Sequence, residues 1–537
     1  MKQKMTAGLL SLCMVTAVAA GCGNSEALQS TAASPDTPNA AASVESAQDQ
    51  ASIQSSEETP VEFDEDPAPI VVAYPITYSP TDLETVENAV NEITLSKINV
   101  EVDLQPFELG SYNDQINLMI SSGEKLDAMA TFFYGSTEFT SMAAQNQCMP
   151  LDDLLEDYGQ GILETLPDYY LETTRVNGQI MGVPVYKDNV NSSYLAMRTD
   201  ILEKYDLVEQ AQNIQSVDDM AAIFEVIKEN EPDLVPIFTS SASGILTWGF
   251  EMWDTIDNAM TYEPFWQEYI VAFEDTPETA QSVFHSDYFE NAVQKVHEWY
   301  EAGYVYKDST TTELTTTTAI SNNVAFSMVF SAENGTVMST VNDCGYDMTI
   351  VKLSSQPVTS QKVRQIDWVI PVTSTEPEAA MMFMNLLYTD EEIVNLLNYG
   401  VEGIHYVKND DGTISLPEGV EPGSSGYYGN MSFLIGNQYL SYVWEGYDPN
   451  TRQESLEINE NAEISPLIGF TFDSSDYANE ISAVTGVILE YGPALTGGIS
   501  DPDTVLPEFR EKLDSSGMQV LVDAVQEQLD AWLAQNQ

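Results

Sequence analysis

Three histidines, His285, His297 and His405, stand in three separate segments of the chain. No HExxH pair sets two imidazoles on one helix face to hold zinc, and no GxSxG turn presents a serine nucleophile. No Gly-rich phosphate loop follows a strand-like run. Gly423-Ser424-Ser425-Gly426 reads as a flexible loop. His297 lies beside Trp299 on a helical pattern, where packing or surface hydrogen bonding is its expected role, and His405 is expected to be a fixed loop residue. Paired carboxylates can hydrolyse a glycosidic bond. The chain carries 85 Asp and Glu, however, so chance pairs are certain and their presence selects nothing. Among four cysteines there is no CxxC, so no zinc site is expected. No metal or cofactor is expected from any of these residues.

Aromatic residues offer a different chemistry. Tyr78, Phe133, Tyr134, Tyr186, Trp248, Trp253 and Trp368 end strand-like runs or lie in the loops after them. Sugar rings pack their C–H faces on aromatic faces while polar groups nearby take the hydroxyls. In TWGFEMWD, Trp248 and Trp253 are five apart, so on a helix they point in different directions and need not both be core. For each ring taken singly, a place in the core competes evenly with a place at a ligand.

These residues must be positioned by a scaffold, and its pattern is legible. APIVVAYPI (68–76) is a β-branched apolar run. Leu83, Val86, Val90 and Ile93 then recur at helical spacing. NVEVDLQPF alternates like a strand, a helix follows to Gly123, and LDAMATFFYG (126–135) reads as a third strand. Strands alternating with amphipathic helices predict an α/β fold with a parallel sheet. MGVPVY, NNVAFSMVFSAENG, YDMTIVKL and IDWVIPVTS read as further strands, and the Thr-rich patch 310–318 as a loop or edge strand. Phe289, Val293, Val296 and Tyr300 share a helix face that stops at Gly303. Thr375 with Glu378, and Thr389 with Glu392, predict capping boxes opening two consecutive helices, the second ending at Gly400. A last helix is expected in MQVLVDAVQEQLDAWLAQ.

The amino terminus is a different kind of segment. Lys2 and Lys4 precede GLLSLCMVTAVAA, which has the n-region and h-region of a secretory signal. Its end, Ala19-Ala20-Gly21-Cys22, resembles the bacterial lipobox, with Ala19 where Leu is usual. That resemblance implies cleavage before Cys22 and lipidation of its sulfur, with the bilayer as a partner. Residues 23–67 are rich in Ser, Ala, Gln, Glu and Pro and cannot bury enough apolar surface to fold. As a coil they reach roughly 35–40 Å. Cys13 leaves with the signal, and spacing does not say whether Cys148 and Cys344 pair. The net charge of −67, from 18 Lys and Arg against 85 acids, argues against nucleic acid and against electrostatic docking on anionic lipid.

The body resembles the extracellular solute-binding proteins of ABC importers, the group that includes maltose-binding proteins. LDDLLEDYG through NGQIMGVPVY, then HEWYEAGYV, then STEPEAAMMFMNLLYTDEEIVNLLNYGVEGIHY carry the resemblance. GNQYLSYVWEG, PLIGFTFDSSDYANEISAV and YGPALTGGISDP are similar to the C-terminal module of a Firmicute lipoprotein subgroup, the LipO- or LplA-like proteins. The resemblance implies a two-lobe periplasmic-binding-protein-like fold of type II, with lobes joined by a hinge and a family-specific C-terminal module. It implies a signal over 1–21, a tether over 22–67, lobe 1 over 68–190 plus 345–388, and lobe 2 over 191–344 plus 389–537. It adds Ser79 to Tyr78 after the first strand, Phe133 and Tyr134 after the third, and Lys187 beside Tyr186 at the crossover. Trp248, Trp253 and Glu333 come from lobe 2, Trp368 from the returning strand, and Glu402 from the Gly-rich turn. Trp368 stands where the group often has a small residue, so it is either a ligand platform or a change in cleft shape. The implied function is capture of a mono- or oligosaccharide by hinge closure and delivery to a membrane permease, by a monomer on the outer face of the cell membrane. No catalysis is implied. A peptide or polyamine ligand is the alternative within the binding class, and a surface glycoside hydrolase the alternative outside it.

Overall fold

The computed structural model describes Phe63 and residues 65–133, 135–238, 261–266 and 269–536. The sulfur of Cys22, Tyr134, Trp248 and Trp253 lie outside the described residues. The chain runs through β1 (Ala68–Ile76), β2 (Val100–Glu108), β3 (Ala128–Ala130), the hairpin β4 (Arg175–Val176) and β5 (Gln179–Ile180), and β6 (Val183–Pro184). It then forms β7 (Asn191–Arg198), β8 (Val235–Ile237), β9 (Thr261–Trp266), β10 (Ile270–Phe273), β11 (Thr276–Ser282), β12 (Ala325–Glu333), β13 (Met348–Ser355) and β14 (Asp367–Val369).

Two separate sheets organise the body. The first has the order β2-β1-β3-β14-β6. β1 pairs in parallel with β2 along nine residues, Ala68 with Val100 through Ile76 with Glu108, and with β3. Ile70 and Val72 through Ile76 are buried apart from intermediate positions at the start, as a strand covered on both faces requires. The helix Leu83–Ile98 makes the β1–β2 crossover and buries Val86, Val90 and Ile93. The next helix, Leu109–Ser122, stops at Gly123, whose φ of 69° is the left-handed conformation that a side chain would strain. β14 is antiparallel to β3 and β6, so this sheet is mixed, not parallel throughout.

The second sheet has the order β13-β7-β12-β8. β7 is the long antiparallel strand at its centre, and β8 and β12 run parallel to each other. Three small antiparallel strands, β9 to β11, lie in the same half of the chain. Each sheet has its own core. Val72, Leu104, Met129, Trp368, Phe383 and Leu397 belong to the first. Leu195, Phe224, Trp299, Phe326, Phe509 and Leu529 belong to the second. The helices Ala478–Thr496, Pro502–Ser515 and Met518–Asn536 join that second core.

This packing divides the body differently from the expected boundaries. β13 lies in the second sheet although 345–388 was expected with the first. Ile393, Leu397, Tyr427, Leu434 and Ile435 lie in the first core although 389–537 was expected with the second. The apolar face of the helix Glu391–Tyr399 explains this, because its neighbour Pro377–Thr389 already covers the first sheet. The chain therefore crosses between the sheets at 185–191, at 356–366 and again near 464–470, where Ile464 and Ile468 pack on the first core and Leu467 and Phe470 on the second.

Local chemistry corrects three more expectations. The third strand is only Ala128–Ala130, because Phe132 and Phe133 have already left the sheet. Neither capping box forms. The first helix of the pair begins at Pro377, and the Asp127 carboxylate accepts from the Thr375 and Glu376 amides instead. The second is capped by Asp390, which accepts from Glu392 and Ile393 N–H. The Thr-rich patch includes a helix, Thr316–Ser321, with Thr315 as its cap. Cys148 and Cys344 are both free and buried, in different cores, and burial pushes their thiols up to about 12 and about 11.

Candidate functional site

In an open α/β sheet, ligands collect where the carboxyl ends of the strands release their loops. The first sheet presents Tyr78 and Ser79 after β1, Glu108 at the end of β2, and Phe132 and Phe133 after β3. Tyr78 and Phe133 are each 45% exposed, an unusual state for rings that could have turned into the core beneath them. Phe132 and Phe133 touch, centroids 4.4 Å apart. Ser79 donates its hydroxyl to Glu108 Oε1 at 2.5 Å, joining the ends of β1 and β2.

A second group of rings extends this edge. Tyr428 lies 6.2 Å from Tyr78, and Trp444 lies 5.5 Å from Tyr428. Behind them Trp444 meets Tyr399 edge-on at 5.5 Å, and Tyr399 stacks on Tyr442 at 15°. Tyr428 and Trp444 are half-buried, so their edges are fixed by neighbours while part of each ring faces solvent. Trp444 donates its indole N–H to Asn430 Oδ1 at 2.6 Å, which fixes the ring plane. The three outer rings, tilted to one another by 57° and 32°, form a stepped aromatic platform against which a sugar face can pack. Neither Tyr428 nor Trp444 was among the expected site residues. The stretch containing them has no helical or alternating pattern. The signal available was the density of aromatics in YYGN and YVWEG, set among turn residues.

An imidazole lies beside Tyr427, between the loops that carry Tyr78 and Tyr428. His405 is buried, and its Nδ1 accepts the Val401 amide at 2.9 Å, so its proton sits on Nε2, 3.3 Å from Asp82 Oδ2. Burial pulls the imidazole below its ordinary range, against the pull of Asp82, so it is neutral at pH 7. Asp82 and Thr81 donate their amides to the Gly426 carbonyl, tying the loop before Tyr428 to the loop after Tyr78. Gly400 has φ 80° and ψ −149°, and a Cβ there would stand 2.5 Å from His405 Nδ1. His405 is thus a fixed loop residue, as expected.

Tyr186, Lys187 and Glu333 lie at the crossings. Tyr186 is buried between Tyr170 and Tyr439, edge-on to both at 5.4 and 4.9 Å. Its amide donates to Gly436 O and its carbonyl accepts from Gln438 N–H. Lys187 is 2% exposed and reaches Glu333 Oε1 at 3.4 Å, while Lys362 reaches the same oxygen at 2.7 Å. Burial lowers the Lys187 ammonium to about 8 even against the attraction of Glu333. Burial alone would raise the Glu333 carboxyl, but the two lysines outweigh it and hold it at about 2. The carboxylate at the end of β12 thus clamps two of the crossings to the second sheet.

Trp368 is not a ligand platform. It is 0% exposed on β14, and its indole N–H donates to the Leu434 carbonyl at 2.8 Å. A small residue there would leave the volume of an indole unfilled in the first core. Glu402 pairs with Lys408 at 3.2 Å, and Lys408 lies over the Tyr442 ring at 4.5 Å, at the back of the ring group. His297 Nδ1 is 2.8 Å from the Gly498 carbonyl. A cavity of about 690 Å³ lies elsewhere, between β10, β11 and the helix Asp287–Ala302, lined by Glu274, Asp275, His285 and Tyr288 among others. Among the described residues, no group of His, Cys, Asp and Glu is arranged to hold a metal ion. No described helix is long and apolar enough to cross a membrane.

Residues 88–401 match the model of a family described as bacterial extracellular solute-binding protein, and residues 466–534 match a domain of unknown function (DUF3502). The chain is 26% identical over 473 residues to a carbohydrate ABC transporter substrate-binding protein of Streptococcus pneumoniae, covering 87% of this chain and 91% of that one. It is similar to the crystal structure of the N-glycan transport solute binding protein NgtS from S. pneumoniae, with a TM-score of 0.71 at 23% identity, over 87% of this chain and 100% of that one. It is also similar to the crystal structure of the alginate-binding protein AlgQ2, with a TM-score of 0.58 at 18% identity, over 87% and 98% of the two chains. Two α/β lobes, three crossings and a family match over most of the body lead to one statement: the chain belongs to the bacterial extracellular solute-binding protein family and has its type II two-lobe fold.

Proposed function

We propose that the protein captures a carbohydrate at the carboxyl ends of the first sheet and passes it to an ABC permease. The observation that carries this is the platform of Tyr78, Tyr428 and Trp444, three partly exposed rings fixed side by side where the fold binds its ligands. The relative described as a carbohydrate substrate-binding protein and the glycan-binding structural neighbour agree with it. Capture works by closing the lobes about the crossings, with no bond made or broken in the ligand. Phe133 faces the same edge, and Tyr134, Trp248 and Trp253 are proposed to complete the contact. Lys187, Glu333 and Tyr186 act on the geometry of the crossings. Cys22 carries the lipid anchor that keeps the monomer on the outer face of the cell membrane, beside its transporter.

Titration calorimetry of the detergent-solubilised full chain against a panel of oligosaccharides tests this. At least one sugar is expected to bind with 1:1 stoichiometry, and the Tyr428→Ala and Trp444→Ala variants to bind it about 5- to 10-fold more weakly, given about 1 kcal/mol per aromatic face. Binding of a peptide or a polyamine with no sugar bound at all overturns the carbohydrate reading.

A further inference from the structure

The charge around the platform is informative beyond the identity of its rings. Ser79 holds Glu108 by its hydroxyl, so the carboxylate at the end of β2 has a hydrogen-bond donor and no countercharge in that contact. Asp82 faces His405, which is neutral, so its charge is also uncompensated there. Glu445 follows Trp444 directly and is exposed. Of the nearby cations, Lys408 pairs with Glu402, whereas Arg452, which acts on Tyr399 behind Trp444 and donates to Ser432 Oγ at 3.0 Å, has no carboxylate among its described contacts.

The same holds for the whole molecule. Only 18 Lys and Arg exist, two of them at the extreme amino terminus, and most of the described ones pair with a carboxylate. On the second sheet, Lys307 follows Val305, which bridges to Ile237 at the end of β8, and Asp308 stands next to it. A carboxylate or sulfate on a ligand at the outer rings would meet the carboxylates of Glu108 and Asp82, with Arg452 on the Tyr399 side as the nearby guanidinium.

Resting on the reading of this site as a sugar site, we infer that its ligand class is the uncharged oligosaccharide, and that the site discriminates against uronate, sialylated and sulfated glycans through Glu108 and Asp82. Neutral sugars lose nothing to this field, because their hydroxyls donate hydrogen bonds to carboxylates. An anionic sugar meets repulsion that salt screens.

The test compares neutral oligosaccharides with carboxylated counterparts of the same length by calorimetry on the detergent-solubilised full chain, at low and at high salt. The neutral member of each pair is expected to bind about tenfold more tightly at low salt, with the gap narrowing to about threefold at 1 M salt, where the screening length is about 3 Å. Glu108→Gln, which keeps an oxygen acceptor for Ser79, is expected to narrow the low-salt gap between the two members of each pair. An oligouronate or sialylated glycan that binds as tightly as its neutral counterpart overturns the inference and leaves the carbohydrate reading standing. Absence of binding by every sugar, with another ligand class bound, overturns the carbohydrate reading itself and the inference with it.

Discussion

Glu333 is a carboxylate shared by two ammonium groups, and its position at the end of β12 makes it the side chain through which the second sheet grips two crossings. Its folded-state carboxyl, held at about 2, lies below the ordinary 4.5. The folded state therefore binds fewer protons between those values, and this stabilisation is fully present above about pH 4.5 and lost as pH falls towards about 2. Glu333→Gln leaves Lys187 and Lys362 without their carboxylate, so it should destabilise the body by about 3–5 kcal/mol at pH 7. Denaturant unfolding across pH should show that difference shrinking through the acid window; a difference independent of pH would mean the carboxylate charge is not what stabilises. Trp368→Ala should cost about 3–5 kcal/mol by opening the first core. Its effect should appear in the denaturation midpoint, with sugar affinity of the folded fraction retained. Gly400→Ala should lose roughly 1–3 kcal/mol from its backbone region alone. The added methyl group should also displace His405, so a crystal structure of that variant should show the His405–Asp82 contact lengthened.

At the scale of elements, regular strands and helices were legible and the irregular support of the platform was not. β1 and the helices Leu83–Ile98 and Asp287–Ala302 follow directly from an apolar run and from apolar residues three and four apart. The caps were misread because Asp127 and Asp390 outcompeted the nearby threonines, and Asp127 comes from a strand start far away in sequence. Tyr78 and Phe133 stand out in the sequence because they follow strands, which pattern can locate. Tyr428 and Trp444 were missed because a loop held by Gly426, Asn430 and His405 has no period to read. Trp368 was ambiguous in sequence because a strand-borne indole can face a ligand or a core. Its Leu434 partner, 66 residues away, is what decides for the core. The element-scale prediction follows from this support. Asp82→Ala should keep the backbone amide bonds to the Gly426 carbonyl but remove the side-chain contact to His405, raising amide hydrogen exchange around His405 and in the loop after Tyr78 while the two cores stay protected.

At the scale of the molecule, two cores joined by three crossings give a body whose lobes can move as units, and the proposed lipidation of Cys22 has its own test. Cys22→Ser should release a sugar-binding protein into the medium, read by fractionating cells; retention of that variant on the membrane would count against lipidation at Cys22. The central claim is that a sugar binds at the carboxyl ends of the first sheet, on the aromatic platform. A crystal structure of the protein grown with the tightest-binding oligosaccharide tests it most directly. The account predicts a sugar ring packed on Tyr428 or Trp444, with a hydroxyl within hydrogen-bond distance of Glu108 or Asn430. A sugar seated instead in the 690 Å³ cavity beside His285, with the platform rings bare, would contradict it.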